Sequence, residues 1–385
     1  MLIANKKVAI IGGGPGGLTL AKLLVMNGVD AIVYERDTDQ NARVQGSPLD
    51  MHDESGLAAL RKAGLLEEFK HNYMVGADRM QIMNENAEIF YSNHEHKALE
   101  NFGAADFRPE IDRGVLRKIL LNSLPESRVM WDHHFISMQQ EGEGWCVQFK
   151  NGKTAYADLV IVADGANSKI RTYVTDYKAF YSGITMLEGS IHNAKNTAPT
   201  ISKLLKGGKI MAFGNNKNIL MGQKANDEIG FYASMRVDEN WSTENKLNYN
   251  DNAQLLEWFR LTYPEWSTIW HELIANTQSF VPRPIYCIPF DQEWETKNNL
   301  TLIGDAAHVM PPFAGEGVNM AMLDALELSQ NLISDTCSNS KEAIEHYEIK
   351  MRKRASEVAQ ESLENGNKMH SINALETMLS FFKNH

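Results

Sequence analysis

Lys7-Val8-Ala9-Ile10-Ile11-Gly12-Gly13-Gly14-Pro15-Gly16-Gly17 is the stretch that decides the fold. Lys7 to Ile11 is a short β-branched, apolar run suited to a buried parallel strand. Glycines follow at once. Leu18, Leu20, Ala21, Leu23, Leu24 and Met26 then supply the apolar face of a helix that Gly28 stops. Ala31-Ile32-Val33-Tyr34 makes a second strand ending at Glu35-Arg36, so a β-α-β unit is predicted. Gly12 permits a tight turn, Gly14 lets backbone N–H groups approach a pyrophosphate, and Gly17 allows close helix–strand packing; Pro15 and Gly16 complete the loop. The helix N-terminus adds partial positive charge for the phosphates. Glu35, 18 residues beyond Gly17, is placed to accept ribose hydroxyls. An acid there repels a 2′-phosphate and suits FAD or NAD. Arg36 reads equally as a solvated charge or as a stacking partner for adenine.

Two further strand ends carry polar clusters. Leu159-Val160-Ile161-Val162-Ala163 ends in Asp164-Gly165-Ala166-Asn167-Ser168-Lys169-Ile170-Arg171. Leu300-Thr301-Leu302-Ile303 ends in Gly304-Asp305-Ala306-Ala307-His308, followed by Pro311-Pro312-Phe313-Ala314-Gly315-Glu316-Gly317-Val318-Asn319. Asp305 closes a strand and suits a ribityl hydroxyl. Gly315 to Asn319 opens a helix, whose free N–H groups and positive dipole end suit the flavin N1–C2=O edge, which becomes anionic on reduction. His308 is read as a structural partner rather than a base.

Elsewhere, residues 43–70 predict a loop and a helix from Glu54 to Ala63, and residues 113–123 a second helix. Asn151-Gly152 is a hairpin signal whose second strand is expected to run on into 159–163. Strands are expected at Lys209–Phe213, Ile219–Gly222 and Gly230–Val237. A helical insertion at about 252–276 carries Trp258, Trp266 and Trp270 as core residues, and Pro282 and Pro284 mark its exit. A helix from Val318 to Ser334 and a charged helical tail with one buried stripe follow. The predicted fold is α/β: a discontinuous Rossmann-like FAD-binding domain (1–70, 100–175 and 285–335), a β-sheet substrate domain (71–99 and 176–284) and a C-terminal helical segment (336–385).

The chain has 385 residues, 38 Lys and Arg against 49 Asp and Glu, and a formal net charge of −11. With 43% hydrophobic and 23% charged residues it has the makings of a large core, which excludes disorder and small disulfide scaffolds. The acidic balance argues against a nucleic-acid binder. Cys146, Cys287 and Cys337 form no CxxC pair, which suits a reduced, cytoplasmic setting. No signal-peptide core and no run of 18 apolar residues occurs, so no membrane span is expected. His94-x-His96 and His133-His134 lack the Cys or carboxylate cluster that would complete a metal site, so none is expected.

The ordered set GxGxxG, DGxxSxxR and GDAAHxxPPxxGxGxN, from Gly12 to Asn319, resembles the class A FAD-dependent aromatic hydroxylases of the para-hydroxybenzoate hydroxylase type. VAIIGGGPGGLTLAKLL, VYERD, ARVQGSPLDMH, PEIDRGVLRKILLNSL and GDAAHVMPPFAGEGVN are similar to the TetX-type tetracycline-inactivating monooxygenases. The resemblance implies FAD contacts at Glu35, Arg36, Asp50, Arg113, Asp305, Pro312 and the loop Gly315, Glu316, Gly317, Val318 and Asn319. It places Arg43 near the isoalloxazine or the incoming nicotinamide, and Asp164 near FAD and a transient NADPH. The substrate-face candidates are Glu188, Lys209, Met211, Gly230 and Phe313. Tetracycline-inactivating relatives carry glutamine, arginine and histidine where this chain has Glu188, Lys209 and Gly230. Lysine lacks arginine's planar fork, Gly230 has no side chain, and Glu188 turns an amide into a charge.

The implied activity is that of an FAD-dependent, NAD(P)H-using monooxygenase. It would hydroxylate an aromatic or enolic polycyclic substrate through a flavin C4a-hydroperoxide, with tetracycline among the candidates. The flavin performs the chemistry, so no side-chain acid or base is assigned. NADPH is a transient co-substrate, because the one GxGxxG loop is taken by FAD. The other partners are O₂ and the small-molecule substrate, with the chain acting as a monomer. The alternatives are a flavin-dependent reductase or dehydrogenase of the same fold and a non-catalytic flavin- and ligand-binding protein.

Overall fold

Continuous apolar runs make strands that are buried on both faces, and such strands pair in parallel under covering helices. The computed structural model, which describes residues 1–42, 48–95, 101–104 and 107–384, has such a five-stranded parallel sheet. Its order is Leu300–Leu302, Leu159–Val162, Lys7–Ile11, Asp30–Tyr34, Val129–Met130. Chain order reverses direction at Lys7–Ile11, and ligands of open α/β sheets bind outside the carboxyl ends of the strands at such a switch point. Gly12, Glu35, Asp164 and Gly304 all lie just past those ends.

Helices Pro15–Val25 and Gly317–Ile333 pack against each other beside this sheet. Glycine makes the approach possible: a Cβ on Gly16 would stand 2.9 Å from the Ala321 carbonyl oxygen, and one on Gly304 2.9 Å from Ala321 Cβ. The tail is two helices, Ser340–Met369 and Ala374–Asn384. Ala343, Ile344, Tyr347, Met351, Ala355 and Ala359 form the buried stripe of the longer one.

The expected continuous strand after the Asn151-Gly152 hairpin is two strands in two sheets. Thr154–Ala157 completes a three-stranded antiparallel sheet with Gly144–Phe149 and Phe135–Glu141, whereas Leu159–Val162 joins the parallel sheet. Asp158 makes the switch. Its N–H donates to the Lys7 carbonyl (2.9 Å) and its carboxylate accepts from the Lys7 N–H (2.7 Å), so it caps the first parallel strand.

The largest sheet has seven strands in the order Ser279–Cys287, Phe180–Ile191, Ile229–Arg236, Lys217–Gln223, Lys209–Gly214, Met80–Asn84, Ile89–Ser92. One face buries Leu187, Ile191, Ile210, Ala212, Ile219, Met221, Phe231 and Ala233 with the helices Pro199–Leu205, Asn252–Thr262 and His271–Ala275 and with Trp266 and Trp270. Pro282 and Pro284 do not mark an exit. They lie within the edge strand Ser279–Cys287, where a missing backbone donor is tolerated. A small ribbon, Leu49–Asp50 with Glu110–Ile111, sets Asp50 directly opposite Glu110. Among the described residues no helix is long and apolar enough to cross a membrane, and the three cysteines are free thiols.

Candidate functional site

The glycine loop is built as its spacing requires. Gly12 sits at φ +115°, and a Cβ there would lie 2.2 Å from the Ala163 carbonyl oxygen. A Cβ on Gly17 would lie 2.1 Å from the Gly12 carbonyl oxygen. Gly14 is the helix N-cap, Pro15 takes the first helical position, and nothing stands within 4 Å of where a Gly14 Cβ would point. Glu35 is buried at the end of the second strand, where its carboxylate accepts the N–H groups of Gly13 (2.5 Å) and Asp37 (3.0 Å). Arg36 is exposed. Arg117, not singled out from the sequence, braces this corner. It donates to the carbonyls of Gly13 (3.4 Å) and Gln40 (2.9 Å), pairs with Asp37 at 3.2 Å, and lies over the Trp131 ring.

The other two strand ends are tied to each other. Arg171, which closes the DGxxSxxR run, donates to the carbonyls of Ala306 (2.8 Å) and Ala307 (2.5 Å) and to Gln292. Asp164 accepts the Lys169 N–H at 3.2 Å through one oxygen, and burial raises its carboxyl above the usual range. Gly304 adopts φ +60°, a turn after which Asp305 is solvent-exposed between the buried Gly304 and Ala306. Burial raises the Asp305 carboxyl, opposed by the charges of His308 and Arg113. His308 is a structural partner: fully buried, it bonds Asp324 at 2.6 Å, and Asp324 also accepts the Gly304 N–H (2.8 Å) and Arg354 (2.8 Å). Arg113 opens the helix Arg113–Asn122, which Asp112 caps by accepting the N–H groups of Gly114 and Val115.

The loop at the start of Gly317–Ile333 meets the small ribbon. Gly315 turns at φ +70°, and a Cβ there would stand 3.0 Å from an Asp50 carboxylate oxygen. Pro312 lies exposed in the turn before it, and Glu316, Gly317 and Val318 are half-buried. Asn319 is fully buried and its side chain is spent within the protein: it accepts the His52 N–H (3.0 Å) and donates to the carbonyls of Asp50 (2.9 Å) and Gly315 (3.4 Å). His52, which sequence reasoning missed, bonds Asp50 (3.2 Å) and Glu316 (3.0 Å). The Asp50-x-His52 spacing, which puts both on one face of an extended strand, was its signal. Burial pulls the imidazole down, but the two carboxylates outweigh it and push it up to about 9. Burial likewise raises Asp50, but the His52 hydrogen bond and the Lys209 charge hold it below the usual carboxylate range. Arg43 lies outside the described residues.

The substrate-face candidates on the seven-stranded sheet share one face. Register aligns Glu188, Tyr232, Leu220, Met211 and Ile82 in one row, and Ser190, Gly230, Gly222 and Lys209 in the next. Their strand neighbours point to the opposite, helix-covered face. Met211 and Leu220 join Phe313 in a small apolar cluster with the last helix. Glu188 is paired with Arg283 at 2.7 Å, and Lys209 with Glu110. Tyr232 was not anticipated, because only the register reveals its row.

The residues fit an FAD-type ligand. Two buried polar atoms, Arg113 Nε and Asp164 Oδ1, have no hydrogen-bond partner among the described residues. Gly14 and Gly317, at the starts of two helices, leave the approach to those N-termini open. The five-stranded parallel sheet, with these residues at its strand ends, lies beside a separate seven-stranded sheet, one face of which is half-covered by the last helix. Residues 5–254 and 290–362 match the FAD binding domain family, and the chain belongs to that family. Monooxygenase asqM of Emericella nidulans is 27% identical over 379 residues, covering 85% of this chain and 83% of its own. HpxO of Klebsiella pneumoniae, solved with FAD and uric acid, superposes with TM-score 0.77 at 20% identity over 98% of this chain and 92% of its own. Tetracycline destructase Tet(55) superposes with TM-score 0.75 at 20% identity over 95% of this chain and 90% of its own. At those identities the two structures speak for the fold; with the family and the named relatives, the chain is an FAD-dependent monooxygenase.

Proposed function

We infer that this chain hydroxylates an aromatic or enolic polycyclic substrate held on the half-covered face of the seven-stranded sheet. The observation that carries this reading is that Lys209, on that face, pairs with Glu110, which stands opposite Asp50 beside the Gly315–Asn319 loop. The substrate face therefore ends at the loop proposed to hold the flavin edge. FAD, when bound, supplies oxygen activation and transfer, with NADPH as the transient hydride donor. On this reading Gly14 and the helix behind it hold the pyrophosphate, with Glu35 at the ribose end. Asp305 and Arg113 bind the ribityl and phosphate region, with Asp164 nearby. The Gly315, Gly317 and Val318 backbone meets the ring edge.

The substrate half would be residues 71–99 and 176–284. There the row Glu188, Tyr232, Leu220 and Met211 runs from charged to apolar, which suits a flat ligand with polar groups along one edge. The protein's task is to orient that ligand and exclude water. Tetracycline is a candidate on overall fold likeness. Both charged side chains that replace the relatives' gripping residues already have partners, which disfavours a tetracycline-type grip. The chain would act as a cytoplasmic monomer.

The test is oxygen uptake by the FAD-loaded protein with NADPH across a panel of phenolic and enolic polycycles, tetracycline included. Substrate-dependent O₂ consumption with a product heavier by one oxygen is expected. Substrate-independent NADPH oxidation alone, or dehydrogenation without oxygen incorporation, would instead favour the reductase reading.

A further inference from the structure

Both ring nitrogens of His52 face carboxylate oxygens, Nε2 at 3.2 Å from Asp50 and Nδ1 at 3.0 Å from Glu316. An ionised carboxylate only accepts, so two hydrogen bonds to two carboxylates require a hydrogen on each nitrogen, which is the imidazolium. His52 is 3% exposed while Asp50 and Glu316 are each 25% exposed. The carboxylates thus reach solvent and the cation lies buried behind them. The His52 backbone is also fixed, because its N–H donates to Asn319 in the first turn of the helix Gly317–Ile333. On the far side of Asp50 stand Lys209 and Glu110, an opposed pair.

We propose that His52 is a positioning residue that holds a buried positive charge behind the Gly315–Asn319 loop. There it offsets Asp50 and Glu316, so that a flavin edge placed there gains negative charge on reduction without facing two uncompensated carboxylates. The proposal rests on the reading that the flavin edge meets this loop. Like charges in a partly desolvated cleft repel, and charge near the ring edge tunes a flavin's reduction. The sequence pattern suggested only the helix N-terminus for this task; the geometry adds a side-chain cation.

The experiment compares the FAD-loaded wild type with His52→Gln, Glu316→Gln and the double variant. The readouts are the midpoint potential of the bound flavin at pH 7, by equilibration with a reference dye and without substrate, and the FAD dissociation constant. His52→Gln is expected to lower the ratio of reduced to oxidised flavin at a fixed potential by about tenfold, or about 30 mV for a two-electron couple. Glu316→Gln is expected to raise the ratio, and the double variant to return toward wild type. A merely structural role would weaken FAD retention without opposed signs. If His52→Gln does not fold, Glu316→Gln alone decides by its sign. Bound FAD with the same potential in every variant would overturn the charge role and leave the FAD site standing. A wild-type chain that never retains FAD would overturn both.

Discussion

Lys209 reaches from the seven-stranded sheet to the buried carboxylate of Glu110, and Glu110 stands directly opposite Asp50 in the ribbon that meets the Gly315–Asn319 loop. Two acids opposite each other in a β-pair repel, and a cation from a different sheet holds them. Burial raises the Glu110 carboxyl to about 7 even with Lys209 beside it.

Lys209→Met should therefore destabilise the protein. Breaking a buried pair by removing one partner costs about 3–5 kcal/mol, reduced here to about 2 kcal/mol because Lys209 is 34% exposed. Without the cation the Glu110 pKa rises further, so the loss should be larger at pH 8 than at pH 5.5. Urea unfolding at the two pH values checks this, and Lys209→Met/Glu110→Gln should recover most of the loss.

His52 gives a pH dependence of opposite origin. Its folded pKa of about 9 lies above the ordinary value of 6.5, so the folded state binds the proton more tightly. The stabilisation, about 3 kcal/mol from that difference, is fully present below pH 6.5 and lost as pH rises through 9. In His52→Gln this decline in the apo-protein's unfolding free energy between pH 6.5 and 9 should be absent.

Gly14 and Gly17 should separate ligand binding from folding. Gly17→Ala places a methyl 2.1 Å from a carbonyl oxygen, so the melting temperature should fall and FAD be lost together. Gly14→Ala meets nothing within 4 Å and has a backbone any residue adopts. It should melt like wild type and bind FAD more weakly. Equal melting losses in both variants would contradict the assignment of Gly14 to the ligand side.

Asp324 is a fully buried junction that accepts from Gly304, His308 and Arg354. Asp324→Asn should cost about 3 kcal/mol of folding stability, because it removes the counter-charge of the fully buried His308 imidazole and one of the two carboxylates that hold the half-buried Arg354. Asp305→Asn, at a solvent-exposed position, should leave folding nearly unchanged and weaken FAD about tenfold, the scale of one hydrogen bond to a charged group. Denaturation and flavin fluorescence titration distinguish the two.

Much of the fold was legible because its signals are local. The run Lys7–Ile11, the glycines after it and the Asn151-Gly152 turn each specify a backbone geometry within a few residues. The tryptophans at 266 and 270 were read as core and are buried there. The strand expected to run on into 159–163 is two, because a switch between two sheets leaves the hydropathy pattern unbroken: Thr154–Ala157 and Leu159–Val162 differ in partner, not in kind. Pro282 and Pro284 were misread because an edge position is a property of the sheet. Arg117 and Arg171 were invisible as braces, since an arginine's partner is set by reach through space.

By itself the sequence determined the β-α-β start, the positions of the glycines and the acid that ends the second strand, because strand period, left-handed turns and helix N-termini are backbone matters. Only the tertiary structure decided that Lys209 is committed to Glu110, that Glu188, Tyr232 and Met211 share a row, and that His52 lies clamped behind two carboxylates that reach solvent. The reason is physical. Charge pairing and facing depend on distance across space, and these residues come from segments far apart in the chain.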